Sequence, residues 1–175
     1  KKIYSFEPSP VNFLKLKNKI IFFSKKFKDI KIYIENLGLG DEKKKIYIKQ
    51  LIESSSSTIN EIKKNSKYFK KKIFFLNKLN TKDFYKNIDI QIIRLDEYLN
   101  NNSIEYIDFM KIDTEGYEFD VLKGLGTKIH NVQYIMFEHH YHDMLIKTYK
   151  FSDINELLVK NNFIKIFKAK MPFRK

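Results

Sequence analysis

Between Ile107 and Gly124 the chain reads IDFMKIDTEGYEFDVLKG, and this order of residue types leaves few folds open. Ile107–Ile112 is a short, mainly apolar run with the character of a central strand. Asp113 and Thr114 are good helix caps, and Glu115 suits a first turn. Gly116 lets the backbone approach a neighbour or ligand closely. A helix is expected from about Tyr117 to Lys123, with Gly124 as its C-terminal cap. Strand, acidic turn and helix in succession form the repeating unit of an α/β sheet.

The rest of the chain repeats that alternation. Lys2–Phe6 reads as a strand ending at Glu7, and Ser9-Pro10 supplies an N-cap followed by proline at the first helical position. Ile30–Ile34 is a second strand, closed by Gly38, Gly40 and Asp41, and Lys45–Ile52 alternates as a further one. Gln91–Arg94 is a short strand running into a helix at Asp96–Asn101. Val132–Phe137 is an apolar strand ending at Glu138, Ser152 or Asp153 caps a helix through Lys160, and Phe163–Phe167 makes a last strand. Units of this kind, one about every 25–40 residues, predict an α/β fold with a mostly parallel sheet and helices on both faces. The 175 residues form a single domain, with a lysine-rich insertion around 60–87 containing some helix. Because the sequence opens at Lys1 directly into a strand, it reads as a piece of a longer chain.

Composition narrows the function classes. Hydrophobic residues make up 43% and aromatics 15%, enough for a packed core. No apolar run approaches the roughly 18 residues of a membrane span, and nothing resembles a signal peptide. The absence of cysteine excludes disulfides and thiolate metal sites and fits a reducing, cytoplasmic setting. The net charge of +13 invites a nucleic-acid reading, but Arg94 and Arg174 are the only arginines. Arginine is the residue that forks onto phosphate and guanine, so the lysines read as a solvated surface and no specific nucleic-acid partner is expected.

In an open α/β sheet, ligands bind outside the carboxyl ends of the strands. Three strands here end in acids: Glu7, then Asp113 with Glu115, then Glu138. Glu7 stands where the acid that binds a nucleotide ribose stands in a βαβ unit, about 20 residues after a glycine-rich turn. It equally suits a carboxylate stabilised by a helix N-terminus. Lys111 lies in a strand expected to be buried on both faces, so it either pairs with Glu115 or Glu138 or reaches out to solvent. Three of the four histidines, His139, His140 and His142, follow Glu138 closely. His139, nearest the strand end, is the favoured general base of the three. A metal site with Asp113 or Glu138 is conceivable, but none is expected.

KIYSFEPSPVNFLKL, NLGLGDEKKKIYI, IIRLDEYL, IDFMKIDTEGYEFDVLKG and YIMFEHH occur in an order and spacing that resemble the FkbM-type methyltransferases. The resemblance implies a Rossmann-like class I fold, here without its N-terminal glycine-loop strand. It further implies methyl transfer from S-adenosylmethionine, usually to a hydroxyl oxygen of a sugar or small metabolite. By the same resemblance Glu7 would hold the cofactor ribose, Asn36 and Leu37 would line the adenine, and Asp113 and Glu115 would face the transfer centre. The acceptor's proton would go to Asp113, Glu115 or His139, the carboxylates first. The rival readings are a non-catalytic α/β binding module with a basic surface and another nucleotide-binding Rossmann enzyme.

Overall fold

A computed structural model describes residues 1–51, 57–75, 85–141 and 144–169. The chain opens with β1 (Lys2–Phe6) and helix α1 (Pro10–Lys26), then β2 (Lys31–Glu35), and the two strands pair in parallel from Lys2↔Lys31 to Phe6↔Glu35. Tyr4 and Tyr33 stack across the pair with ring centroids 4.8 Å apart. α1 starts where expected: the Ser9 hydroxyl accepts from the Asn12 amide at 3.3 Å, and Pro10 needs no partner for the N–H it lacks.

The next strands form a mixed sheet. β3 (Gly38–Gly40) lies parallel to β7 (Tyr85–Arg94), while β4 (Lys44–Leu51) lies antiparallel on the other side of β7 and carries the two-residue β5 (Ser57–Thr58). The longest register among the described residues, Lys44↔Ile92 to Leu51↔Tyr85, is therefore antiparallel. The sheet around β7 is thus mixed, with the expected parallel pairing on its β3 side and antiparallel pairing on its β4 side. The turn after Gly40 sends β4 back beside β7, and Ile48, Ile90 and Ile92 form a core of their own there. Within the 60–87 region, β6 (Glu61–Ile62) pairs with β10 (Leu145–Ile146), and helix α2 (Lys67–Phe75) buries Phe69 against Met144 and Leu145.

β8 (Ile107–Ile112) and β9 (Val132–Phe137) form a second parallel pair. Helices α3 (Leu95–Asn101), α4 (Glu118–Lys123) and α5 (Phe151–Lys160) complete the architecture, with a 3-10 turn at Gly126–Asn131 leading into β9. The main core joins Met110, Ile112, Val121, Leu122, Leu125, Ile129, Val132 and Ile154. Gly124 caps α4 as expected, but in a right-handed conformation with φ −66°. Its missing Cβ matters for packing, since that atom would fall on the Gly40 carbonyl oxygen.

Three further expectations are corrected. β8 is buried on one face only: Met110 and Ile112 are inside, while Phe109 and Lys111 are exposed. Of its two expected arrangements, Lys111 accordingly takes the second, reaching out to solvent, where it pairs with Asp113 at 2.9 Å. The helix assigned to a Ser152 or Asp153 cap starts earlier, at Phe151, with the Asp153 carboxylate accepting from the Lys150 amide at 2.7 Å. Phe163–Phe167 is not a strand: Phe163 packs on the core, but Ile164, Ile166 and Phe167 stand in solvent. Alternating apolar residues make a strand only where a neighbouring backbone takes up the hydrogen bonds. Among the described residues no helix is long and apolar enough to cross a membrane.

Candidate functional site

The turn after β8 is held from both sides. Glu115 and Gly116 take positive φ, 50° and 98°. Glycine accepts this readily, whereas glutamate does so only where its surroundings hold it. Beneath the turn, the fully buried Glu118 supplies those contacts. Its Oε1 accepts from the Thr114 amide (3.3 Å), the Thr114 hydroxyl (3.0 Å) and the Gly116 amide (2.9 Å), and its Oε2 accepts from the Tyr149 hydroxyl. Above it, Thr58 donates to the Glu115 carbonyl at 2.9 Å and Asn60 to the Gly116 carbonyl at 2.7 Å. Gly116 also leaves room for the Lys147 stem, whose carbons would lie 3.3 Å from an added Cβ.

This framework delivers the Glu115 side chain to the carboxyl end of β9. There the buried His140 imidazole lies with Nε2 3.2 Å from Glu115 Oε2 and 3.5 Å from Glu138 Oε1. Both carboxylates remain about a quarter exposed, at 24% and 22%, while the His140 side chain is 3% exposed. A small recess lined by Lys49, Thr58, Tyr85 and Met144 adjoins Glu115. Burial, reinforced by the Glu115 charge, pushes the Tyr85 phenol up to about 12.

His139 faces a different environment. Its ring packs against Tyr141, Tyr149 and Phe151 at 4.8, 5.9 and 5.6 Å between centroids. Its Nε2 lies 3.4 Å from the Lys147 ammonium, which also donates to the His140 carbonyl. Burial first, and then the Lys147 charge, hold the His139 imidazole down at about 4, so it is neutral at ordinary pH. Burial likewise lowers Lys147. The Tyr149 hydroxyl is raised, by burial first and then by its bond to Glu118.

At the ends of β1 and β2, Glu7 and Asn36 meet: the Asn36 side chain donates to the carbonyls of Glu7 (2.9 Å) and Pro8 (3.1 Å). The Glu7 carboxylate accepts from the Ser9 amide at 2.9 Å, and burial raises it against that bond and one from Asn12. Leu37 follows, half-buried. Of the residues singled out from sequence, Glu7, Asn36 and Leu37 thus gather at one strand pair. Glu115 joins Glu138 and His140 at the other, Asp113 is engaged by Lys111, and His139 turns toward Lys147. His142 lies outside the described residues. Thr58, Asn60, Glu118, Lys147 and Tyr149 were not singled out at all. Among the described residues no group of three or more His, Asp or Glu is arranged to hold a metal ion.

No curated protein and no solved structure matches the chain. The family model described as the methyltransferase FkbM domain matches residues 1–165. With a match over nearly its whole length, this chain belongs to the FkbM methyltransferase domain family.

Proposed function

We propose that the chain transfers a methyl group from S-adenosylmethionine to a hydroxyl oxygen of a small-molecule or glycan acceptor. Glu115 and Glu138 would receive the hydroxyl proton, and the buried His140 would position both. Family membership supports methyl transfer, and the observation that carries the assignment of roles is the Glu115–His140–Glu138 cluster. Two partly exposed carboxylates can meet a ligand, whereas the imidazole between them cannot, so the acids are the proton acceptors and His140 is a positioning residue. When bound, S-adenosylmethionine supplies a methyl already activated on a sulfonium. The protein must align the acceptor oxygen in line with it and take the proton as the C–O bond forms and the C–S bond breaks.

The residues of the β1–β2 end fit the cofactor. Among the described residues the half-buried Glu7 carboxylate is bonded to neutral donors, Ser9 and Asn12, and such a group suits the hydroxyls of a ribose. Asn36 and Leu37 stand beside it to line a base.

Calorimetry with S-adenosylhomocysteine and transfer of labelled methyl to a panel of hydroxylated sugars test this reading. Glu7→Ala should weaken S-adenosylhomocysteine binding at least about tenfold. Glu115→Gln should leave that binding intact and slow transfer by about 10²–10⁴. A folded protein that binds no S-adenosylhomocysteine would remove the cofactor assignment, and full transfer by the Glu115→Gln, Glu138→Gln double variant would remove the acid pair.

A further inference from the structure

We infer that the His139 side of the site is an oxyanion subsite, so that the acceptor carries a carboxylate or phosphate near the hydroxyl that is methylated; this rests on the methyl-transfer reading above. The inference starts from an imbalance of donors and acceptors. Lys147 carries three N–H groups and is half-buried, and the structure uses two of them, toward His139 Nε2 and the His140 carbonyl. The neutral His139 ring that accepts at Nε2 carries its hydrogen on Nδ1, a buried atom with no partner among the described residues. Lys168 stands over the same aromatic group, its ammonium 5.2 Å from the Tyr141 ring centre and 5.1 Å from that of Phe151. Both ammonium groups act on the one imidazole, each disfavouring its protonated form.

No carboxylate among the described residues lies within 4.0 Å of Lys147 or Lys168. The nearest buried acid, Glu118, has its oxygens taken by Thr114, Gly116 and Tyr149. The Glu118 charge therefore reaches Lys147 only at a distance, with no direct bond, and a partly buried ammonium with an N–H left over is a place a ligand oxyanion would complete. The rings that seat Lys168 add an apolar wall, of which Tyr141 is 66% exposed. Consecutive residues of one extended segment thus put His140 with the acids and His139 with the cations. A hydroxy acid or sugar phosphate spanning the two would present its hydroxyl to Glu115 and Glu138 and its anion to Lys147 and Lys168.

The test is titration of the full chain with glucuronate, glucose 6-phosphate and neutral methyl glucoside, followed by the ring resonances of His139. The expected result is a saturable shift with one or both anions and none with methyl glucoside. Lys147→Met and Lys168→Met should each weaken binding about five- to tenfold. Lys168 is a surface residue, so its variant keeps the test sound should Lys147→Met fail to fold. A response to glucuronate alone assigns the carboxylate, and one to glucose 6-phosphate alone assigns the phosphate. Equal shifts from the neutral sugar, no shift from either anion, or unchanged binding in Lys168→Met would overturn the inference. Anion binding in a protein that ignores S-adenosylhomocysteine would leave the subsite standing and remove the methyl-transfer reading instead.

Discussion

Replacing Glu118 by leucine tests whether the turn that presents Glu115 is held from below. The carboxylate is fully buried and accepts from two backbone amides and two hydroxyls. Leucine is of similar size and accepts nothing. The Thr114 hydroxyl can rotate toward another acceptor, and its amide is only part-buried, so these two losses are small. The Gly116 amide and Tyr149 hydroxyl are buried and keep no acceptor. At about 1–3 kcal/mol for each buried donor left unmade, their loss comes to about 2–6 kcal/mol. Relief of a buried charge offsets part of this, leaving about 3 kcal/mol. In urea unfolding the midpoint should fall at constant m-value, and Tm should drop by about 6–12 °C for a chain of this length. Glu118→Gln keeps an oxygen for Gly116 and Thr114 and offers its NH₂ to Tyr149, whose hydroxyl can turn to accept; about 1 kcal/mol is expected. A leucine variant within about 0.5 kcal/mol of the parent, or a glutamine variant as damaging as leucine, would refute the claim that acceptor geometry holds the turn.

Gly116→Ala places a Cβ at φ 98°, 2.6 Å from the Asn60 amide nitrogen and 3.3 Å from Lys147; a loss of about 2 kcal/mol in urea unfolding is expected. Gly124→Ala should cost more, about 3 kcal/mol or above, because backbone of β3 and not a flexible side chain stands in the way; a smaller loss than at Gly116 would contradict this packing. His139 gives a pH dependence of definite sign. Its folded value near 4 lies below the ordinary 6.5, so its contribution is whole above pH 6.5 and is lost as pH falls from there toward 4. That interval corresponds to about 3 kcal/mol, reduced by partial exposure and screening to about 1–2 kcal/mol. His139→Phe should flatten the unfolding free energy between pH 6.5 and 4, and an unchanged slope would show that another group carries it.

The local elements were legible because each rests on a local pattern. Ser9-Pro10 fixes the start of α1, and the apolar runs of β1, β2, β8 and β9 lie where the sequence put them within one residue. Strand partners were not legible. β4 alternates clearly, but nothing near it in sequence says that its partner is a strand some 40 residues on, running the opposite way. The expected strand Gln91–Arg94 is only the end of β7: Tyr85–Asn87 carries no apolar alternation, and the alternation of Ile88-Asp89-Ile90 was missed beside the lysine-rich region. At the site, the order Glu138-His139-His140 held a readable signal. In extended backbone, side chains two apart share a side, so Glu138 and His140 belong together and His139 faces away. Proximity to the strand end was the weaker guide. Lys147 had no pattern to find it by, since its role depends on the room left by Gly116, 31 positions earlier.

The chain carries +13 overall, yet its site is not uniformly basic. Parallel pairing of β8 with β9 brings Glu115 and Glu138 to one rim, and the long-range bonds of Thr58 and Asn60 pin the turn that aims Glu115. Between unit charges a few ångströms apart at a protein surface, the interaction is about 4 kcal/mol, so a lysine among these acids would lower their readiness to take a proton. The nearby lysines are directed to other partners: Lys111 pairs with Asp113 in solvent, Lys147 is turned to His139 and to the backbone carbonyl of His140, and Lys49, in the recess beside Glu115, donates to the Asn60 carbonyl. The alternation of three consecutive side chains is what separates the two environments. Acids proposed to accept a proton and cations proposed to take an anion can then flank one short segment without pairing with each other. That arrangement lets a lysine-rich surface and the proposed proton-accepting pair, Glu115 and Glu138, coexist in one chain.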